Sequence, residues 1–385
     1  MKWSELARVR AACAYFFICP GLAYGLFTSR LPALKEQTGV STEQIGLLLL
    51  CFGLSGLVAL FISSWLIARL GSRLVLRFGS LIVLFGIALC GLAVTPFALE
   101  ATCILTGLGM GFVDVSMNTQ GIQIERCYTT SCMSFMHASY SLGGMIGAIT
   151  GALFAGIGLG PFANAVCVLG LYACFRPWAV PKLLKDIPTE PVVEKNAPQR
   201  ALPLFVVMCG VLAMLTYAAE GSVAEWGSLL LFTVKGASES TAAFVFAAFS
   251  ASTILGRLFG DRLRNSFGDF ILTFFGASLS TLGMALVLFS MTPIICFVGY
   301  ALMGFGLAPI APILFSRAGS YPGISAGKAS TVMSILSYGG LLFFPPLIGF
   351  FAQWHGLENT LISMLIACVI VTLGTVMLRD NKKLS

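Results

Sequence analysis

Twelve apolar runs of about 20 residues each follow one another along the chain, and each is long enough to cross a bilayer as a helix. They fall at 11–31, 44–67, 74–95, 98–122, 132–156, 162–180, 202–222, 241–260, 270–291, 293–315, 328–351 and 357–378. Lipid offers backbone N–H and C=O groups no partners, so runs of this kind must close their hydrogen bonds internally as helices. The pattern predicts an all-α membrane protein with twelve transmembrane helices. Charged residues make up only 10% of the chain and apolar residues 57%, against about 25% charged in ordinary soluble domains. That excludes a soluble enzyme, a disordered chain and a disulfide-stapled secreted domain.

The few charges are informative because of where they sit. With both termini inside, twenty of the 23 basic residues lie in cytoplasmic segments, leaving Arg30, Lys35 and Lys235 outside. This asymmetry predicts cytoplasmic termini. The first apolar run reads as a retained helix and not as a cleaved leader. The basic residues form short clusters between spans, with no stripe or motif that would bind nucleic acid. Most of the 12 cysteines lie inside apolar runs, without CxxC pairs or Cys/His clusters, so neither a metal site nor a cofactor is expected.

The segment Pro181–Arg200 is the one substantial polar stretch, rich in charge and carrying Pro181, Pro188, Pro191 and Pro198. It divides the chain into an N-terminal six-helix bundle at 1–180, a cytoplasmic linker at 181–201 and a C-terminal six-helix bundle at 202–385. The halves echo each other. Ser63–Arg73, after helix two, parallels Gly256–Ser266, after helix eight; aligning Ala68-Arg69 with Asp261-Arg262 gives an offset of 193. That offset also pairs Gly111-Phe112 with Gly304-Phe305, and Ser141–Gly144 matches Ser337–Gly340 at 196. Internal repeats of this kind are a transporter signature. Two pseudo-symmetric bundles around a central cavity are the expected architecture.

These segments make the whole chain resemble the major facilitator superfamily. The loop after helix two in that family reads G-x-L-a-D-R-x-G-r-R; here Arg69, Gly71 and Arg73 match, while Ser64 and Ala68 replace the first Gly and the Asp. The second copy keeps Asp261 and Arg262. Thr28–Lys35, Gly111–Asn118 and Ala219–Trp226 are similar to the fucose-permease-like branch and its bacterial inner-membrane relatives.

Ionisable residues inside spans are the candidates for chemistry, because burying each in lipid costs at least a few kcal/mol. Asp114, with Asn118 one turn on and Glu125 further along, makes one polar stripe on helix four; the resemblance implies that a carboxylate here couples protons or binds substrate. His137, on helix five, could change charge near neutral pH. Glu220 and Arg30 are expected near the outer mouth of helices seven and one, where an Arg–carboxylate gate could form between them. Glu225 and Trp226 are expected at the membrane interface. Tyr24, Tyr217, Asn164 and Tyr338 are candidate solute-binding groups, weighed against plain packing. The small-residue ladder Ser139, Gly143, Gly147, Gly151 and Ala155 of helix five is expected to face Ala243, Ala247 and Ala251 of helix eight.

The expected function is secondary transport of a small polar solute, sugars first, by alternating access with proton coupling. The alternative is proton-antiport efflux of amphipathic compounds. The partners are the solute, protons and the bilayer, for a monomer in the bacterial inner membrane. No catalytic triad, phosphate loop or metal set suggests an enzyme.

Overall fold

The computed structural model describes residues 2–128, 132–185, 202–319, 321–322 and 326–379. Most of the predicted linker and the C-terminal tail lie outside the described residues. Within them the fold is helical, and twelve helical segments are long and apolar enough to span a membrane. The helices are α1 (Lys2–Ser29), α2 (Leu31–Thr38), α3 (Thr42–Leu70), α4 (Ser72–Leu92), α5 (Pro96–Tyr128), α6 (Met133–Gly156), α7 (Pro161–Cys174), α8 (Arg176–Ala179), α9 (Leu204–Thr233), α10 (Glu239–Phe289), α11 (Pro293–Leu307), α12 (Ile310–Gly319), α13 (Ala326–His355) and α14 (Leu357–Gly374). Helix α10 carries two spans and bends at Gly268, whose φ of 79° is non-helical.

The largest departure from the sequence-derived spans is α9. It runs to Thr233, eleven residues past the expected end at 222. Glu220, Glu225 and Trp226 therefore lie inside the helix and not near its end. Tyr217, Glu220 and Glu225 add polarity to a segment that still has two further turns of Leu and Phe to bury.

Local chemistry explains the helix starts. Ser41 accepts from the Gln44 N–H while Gln44 reaches back to the Ser41 N–H, a reciprocal cap for α3. Ser238 likewise accepts from the Thr241 N–H at the start of α10. Pro96 and Pro293 open α5 and α11, where a missing N–H costs nothing.

These pairs set the repeat. Ser41 and Ser238, Pro96 and Pro293, Gly39 and Gly236, and Gly71 and Gly268 are each 197 positions apart, and Gly158 and Gly356 are 198 apart. The glycine pairs all have positive φ, which other residues rarely adopt. Packing repeats in the same register. Gly107 allows close approach of Phe52 O and Ser55 Oγ; Gly304 allows the same for Phe249 O and Ser252 Oγ. The offset of 193 read from residue similarity is thus corrected to 197. The difference is about one helical turn, which keeps the same helix face and explains why the shifted match looked sound.

Contacts divide the chain into two compact units. Unit 1 comprises residues 1–189 and Gly227–Ala247; unit 2 comprises Glu190–Trp226 and 248–385. In unit 1, α1 lies along α6, and Tyr15 and Tyr172 stack at 4.2 Å while each hydroxyl donates to the other residue's carbonyl. The glycine ladder of α6 faces α1: Gly143, Gly147 and Gly151 meet Ile18, Leu22 and Ser29. This corrects the expected partner. The start of α10 meets the neighbouring stripe instead, through Gly144 against Phe246 and the Ala152 carbonyl, which accepts from Ser240 Oγ at 2.9 Å. In unit 2, α9 packs on α13 and α14 through Gly340 and Gly374, and Thr281 and Thr372 hydrogen-bond at 3.1 Å.

Candidate functional site

Asp114 sits on α5 ten residues before Ile124, the end of that span, so about 15 Å inside it. Asn118, one turn on, donates from Nδ2 to the Asp114 carbonyl at 2.9 Å and to Oδ1 at 3.3 Å. Both residues are half-buried. No cation pairs with Asp114 among the described residues. The described side-chain partner of its carboxylate is the one Asn118 amide. Glu125, the third member of the stripe, has its side chain outside the described residues.

His137 lies one turn into α6, exposed, with its ring edge-on to Phe17 at 5.5 Å. Tyr24 on α1 is half-buried and edge-on to Phe246 at 5.8 Å. Asn164 on α7 is buried beside a water-sized cavity that Arg30 also lines, and neither of its amide atoms has a protein partner among the described residues. A polar group in such a place fits a bound water. Tyr338 is exposed on α13.

Arg30 follows the last residue of α1 and is 3% exposed. Its Nε lies 3.1 Å from Glu239 Oε1 at the start of α10. Its two amino groups donate to the Gly151 carbonyl at 3.1 Å and the Leu159 carbonyl at 2.7 Å, both at the end of α6. Gly151 leaves space for the Arg30 stem. Burial pulls the Arg30 guanidinium below its ordinary pKa, and Glu239 opposes that shift. Nearby, Ser228 Oγ donates to the Thr28 carbonyl at 2.9 Å. Together with Ser240 on Ala152, these bonds clamp Gly227–Ala247 onto α1 and α6 within unit 1. Lys35 on α2 donates to Thr42 Oγ1 at 2.9 Å, and burial lowers its pKa.

The expected Arg30–Glu220 pair is therefore replaced. Arg30 takes Glu239, and Glu220, thirteen residues short of the end of α9, belongs to a separate cluster in unit 2. There Tyr217, Glu220 and Arg257 act on one another electrostatically. Trp226 is fully buried and Glu225 nearly so, not interfacial as expected. Sequence reasoning misses Glu239, which precedes the run 241–260, and Arg257, which lies in the last turn of that run and counts there among the cytoplasmic charges. The signal for Glu239 was its place in the first turn of a capped helix, where acids are favoured.

The loop motif behaves differently in its two copies. In unit 1, Arg69 stacks over Trp65 at 4.2 Å, Gly71 makes the turn with φ of 82°, and Arg73 donates to the Pro181 carbonyl at 3.4 Å. In unit 2, Arg262 is exposed, and the Asp261 side chain lies outside the described residues. The ion network there centres on Asp269. Arg264 binds it through Nε at 2.7 Å and also donates to Ser316 Oγ at 3.1 Å, while Arg317 lies 3.7 Å from its other oxygen. No group of three or more metal-ligating side chains occurs among the described residues.

With this geometry in place, comparison with known proteins assigns the family. The sequence profile of the Major Facilitator Superfamily matches residues 11–341. The chain belongs to the major facilitator superfamily. An MFS-type transporter of Yersinia pestis is 30% identical over 362 residues, covering 94% of this chain and 92% of that one. The membrane protein MosC of Rhizobium meliloti is 30% identical, covering 95% and 89%. Among solved structures, the nucleoside transporter NupG superposes with a TM-score of 0.73 at 12% identity, covering 97% of this chain and all of that one. A bacterial homologue of the human lysosomal transporter Spinster, inward-facing and occupied, gives 0.71 at 15%, covering 96% of each. These structures share the fold. This superfamily member is a multi-pass membrane protein whose function is secondary transport of small molecules.

Proposed function

We propose that this transporter couples protons to the movement of a small polar solute of sugar type by alternating access, as a monomer in the bacterial inner membrane with both termini cytoplasmic. The observation that carries the reading is Asp114: an intramembrane carboxyl with an amide partner and no cation among the described residues. Such a group is costly unless it is used. Asn118 supplies a neighbouring amide for a solute hydroxyl when Asp114 is protonated. Tyr217, Glu220 and Arg257 give unit 2 its own polar cluster, and His137 tunes the pH response. Arg30 and Glu239 act as the gate. The sugar class follows from the likeness of Thr28–Lys35, Gly111–Asn118 and Ala219–Trp226 to the fucose-permease-like branch. The charge asymmetry supports the orientation.

A thermal-shift screen of the purified protein against sugars, amino acids and cationic dyes identifies the solute. Stabilisation by sugars supports the proposal; stabilisation by dyes alone overturns it in favour of efflux. In proteoliposomes, Asp114→Asn should abolish accumulation driven by a pH gradient and keep solute exchange. An Asn variant that still accumulates solute would make Asp114 structural.

A further inference from the structure

The end of unit 1 where α4 begins and the sixth span finishes carries cations that nothing in the described protein neutralises. Arg73 and Arg77 lie on the first turns of α4; Arg176 and Lys182 lie at the end of the span Pro161–Lys182. They are neighbours in space. The Arg176 guanidinium donates to the Arg77 carbonyl and lies 3.5 Å from Ser80 Oγ. Arg73 donates to the carbonyl of Pro181, the residue before Lys182. None of the four is ion-paired among the described residues. The stretches 71–92 and 161–185 contain no acidic residue at all. Arg176 Nε is buried without a protein partner.

The surroundings define what would neutralise this charge. Phe78 is 59% exposed one residue beyond Arg77, and Phe175 and Trp178 are exposed beside Arg176. Lys182 lies 4.4 Å over the Trp178 ring. Exposed aromatic rings at the end of a span mark the headgroup level of a bilayer, and long basic side chains reach for it. A soluble anion would meet the cations but leave the rings idle. A phospholipid with a net negative headgroup satisfies both: its phosphate accepts from the guanidiniums, and its chains cover the rings.

We propose that this corner, built from Arg73, Arg77, Arg176 and Lys182 with Phe78, Phe175 and Trp178, is a binding site for one anionic phospholipid. Guanidiniums suit it because they can hold a phosphate with two parallel bonds, and basic clusters at span ends attract anionic lipid. The site shares no residue with the Asp114–Asn118 pair or the Arg30 clamp, so it concerns the membrane environment of the transporter and not its solute.

The full-length protein, purified in an uncharged detergent, is titrated with phosphatidylglycerol, phosphatidylcholine or inorganic phosphate and read by native mass spectrometry and thermal shift. Phosphatidylglycerol should bind at least tenfold more tightly than phosphatidylcholine. Arg77→Gln should weaken it at least fivefold, and Arg77→Lys should keep most of the affinity. Arg77 has an exposed side chain, so its variants should fold even if Arg176→Gln does not. Arg262→Gln, in unit 2, should bind within twofold of the wild type. Equal binding of the two lipids, or no loss in Arg77→Gln and Arg73→Gln, would overturn the site. Saturation by inorganic phosphate at the same concentration would overturn the lipid assignment.

Discussion

Glu239→Gln removes the anion from the clamp around Arg30, and the structure sets the size of the effect. At 3.1 Å and an effective dielectric of about 20, the Coulomb attraction is roughly 5 kcal/mol. Desolvation of Arg30 offsets much of that. The Glu239 side chain is 27% exposed and the Arg30 side chain 4%, so the pair lies between an exposed bridge, about 0.2–1 kcal/mol, and a buried one, about 3–5. A loss of about 1–3 kcal/mol follows, or roughly a 5- to 150-fold shift toward the released clamp. The reporter is a cysteine at Ala152, buried under the start of α10, in a background without other cysteines. Its reaction with a membrane-impermeant maleimide should speed up by at least fivefold in Glu239→Gln. Exchanging the charges, Arg30→Glu with Glu239→Arg, should not restore protection. Arg30 also donates to Gly151 and Leu159, and a carboxylate there would face two carbonyls. A labelling rate unchanged within twofold in Glu239→Gln, or full rescue by the exchange, would refute this account of the clamp.

Three further outcomes are expected from thermal unfolding of the purified protein. Gly25→Ala should lose at least about 1–3 kcal/mol, since a Cβ there strikes the Gly144 backbone, while Gly170→Ala, with open space around it, should be neutral or slightly stabilising; equal effects would contradict the α1–α6 packing. Asp269→Asn should cost about 1–2 kcal/mol by releasing Arg264 and Arg317, and Arg262→Gln nothing measurable; the reverse order would show that the network lies elsewhere. Lys35→Met should raise the Tm at neutral pH. Burial lowers the folded pKa of Lys35, so its cost is fully present below that value and disappears as pH rises toward the ordinary lysine value of about 10.4. The gain should therefore close in alkali, and a lower Tm at neutral pH would mean that the Thr42 hydrogen bond outweighs burial.

What the sequence disclosed followed from strong physical terms. Span number and helix type rest on lipid burial, which tolerates few exceptions, so the twelve runs correspond to twelve spans. Asp114 and Asn118 were legible for the same reason, being polar residues at helical spacing in an apolar run. Weaker terms misled. The polar cluster from Tyr217 to Glu225 suggests an end near 222, but α9 buries Glu225, leaves Tyr217 and Glu220 half-buried and continues to Thr233. An end at 222 places Glu220 at the mouth near Arg30, whereas in α9 it lies thirteen residues inside the helix. Arg30's actual partner, Glu239, could not be chosen by span position alone, because the choice depends on how Gly227–Ala247 folds onto α1 and α6.

The register of 197 also shows why unit 1 has no counterpart of the Asp269–Arg317 ion pair. Ser72 and Gln120 occupy the positions equivalent to Asp269 and Arg317. In both halves these two positions touch: Gln120 donates to Ser72 Oγ at 2.7 Å, and Arg317 pairs with Asp269 at 3.7 Å. Ser72 and Gln120 are completely buried, whereas Asp269 and Arg317 keep access to solvent. An ion pair repays its desolvation poorly when fully buried, and a neutral hydrogen bond needs no such repayment. Gln120 spends its remaining capacity on the Leu184 backbone, donating to the carbonyl and accepting from the N–H. The same asymmetry holds for the charges proposed to act in transport: Asp114, Arg30 and Glu220 stand opposite Ala311, Gly227 and Ala23 at that offset. Backbone turns and close helix approaches repeat because both halves must pack by the same rules. Ionisable residues do not, because each buried charge is tolerated only where one local environment satisfies it.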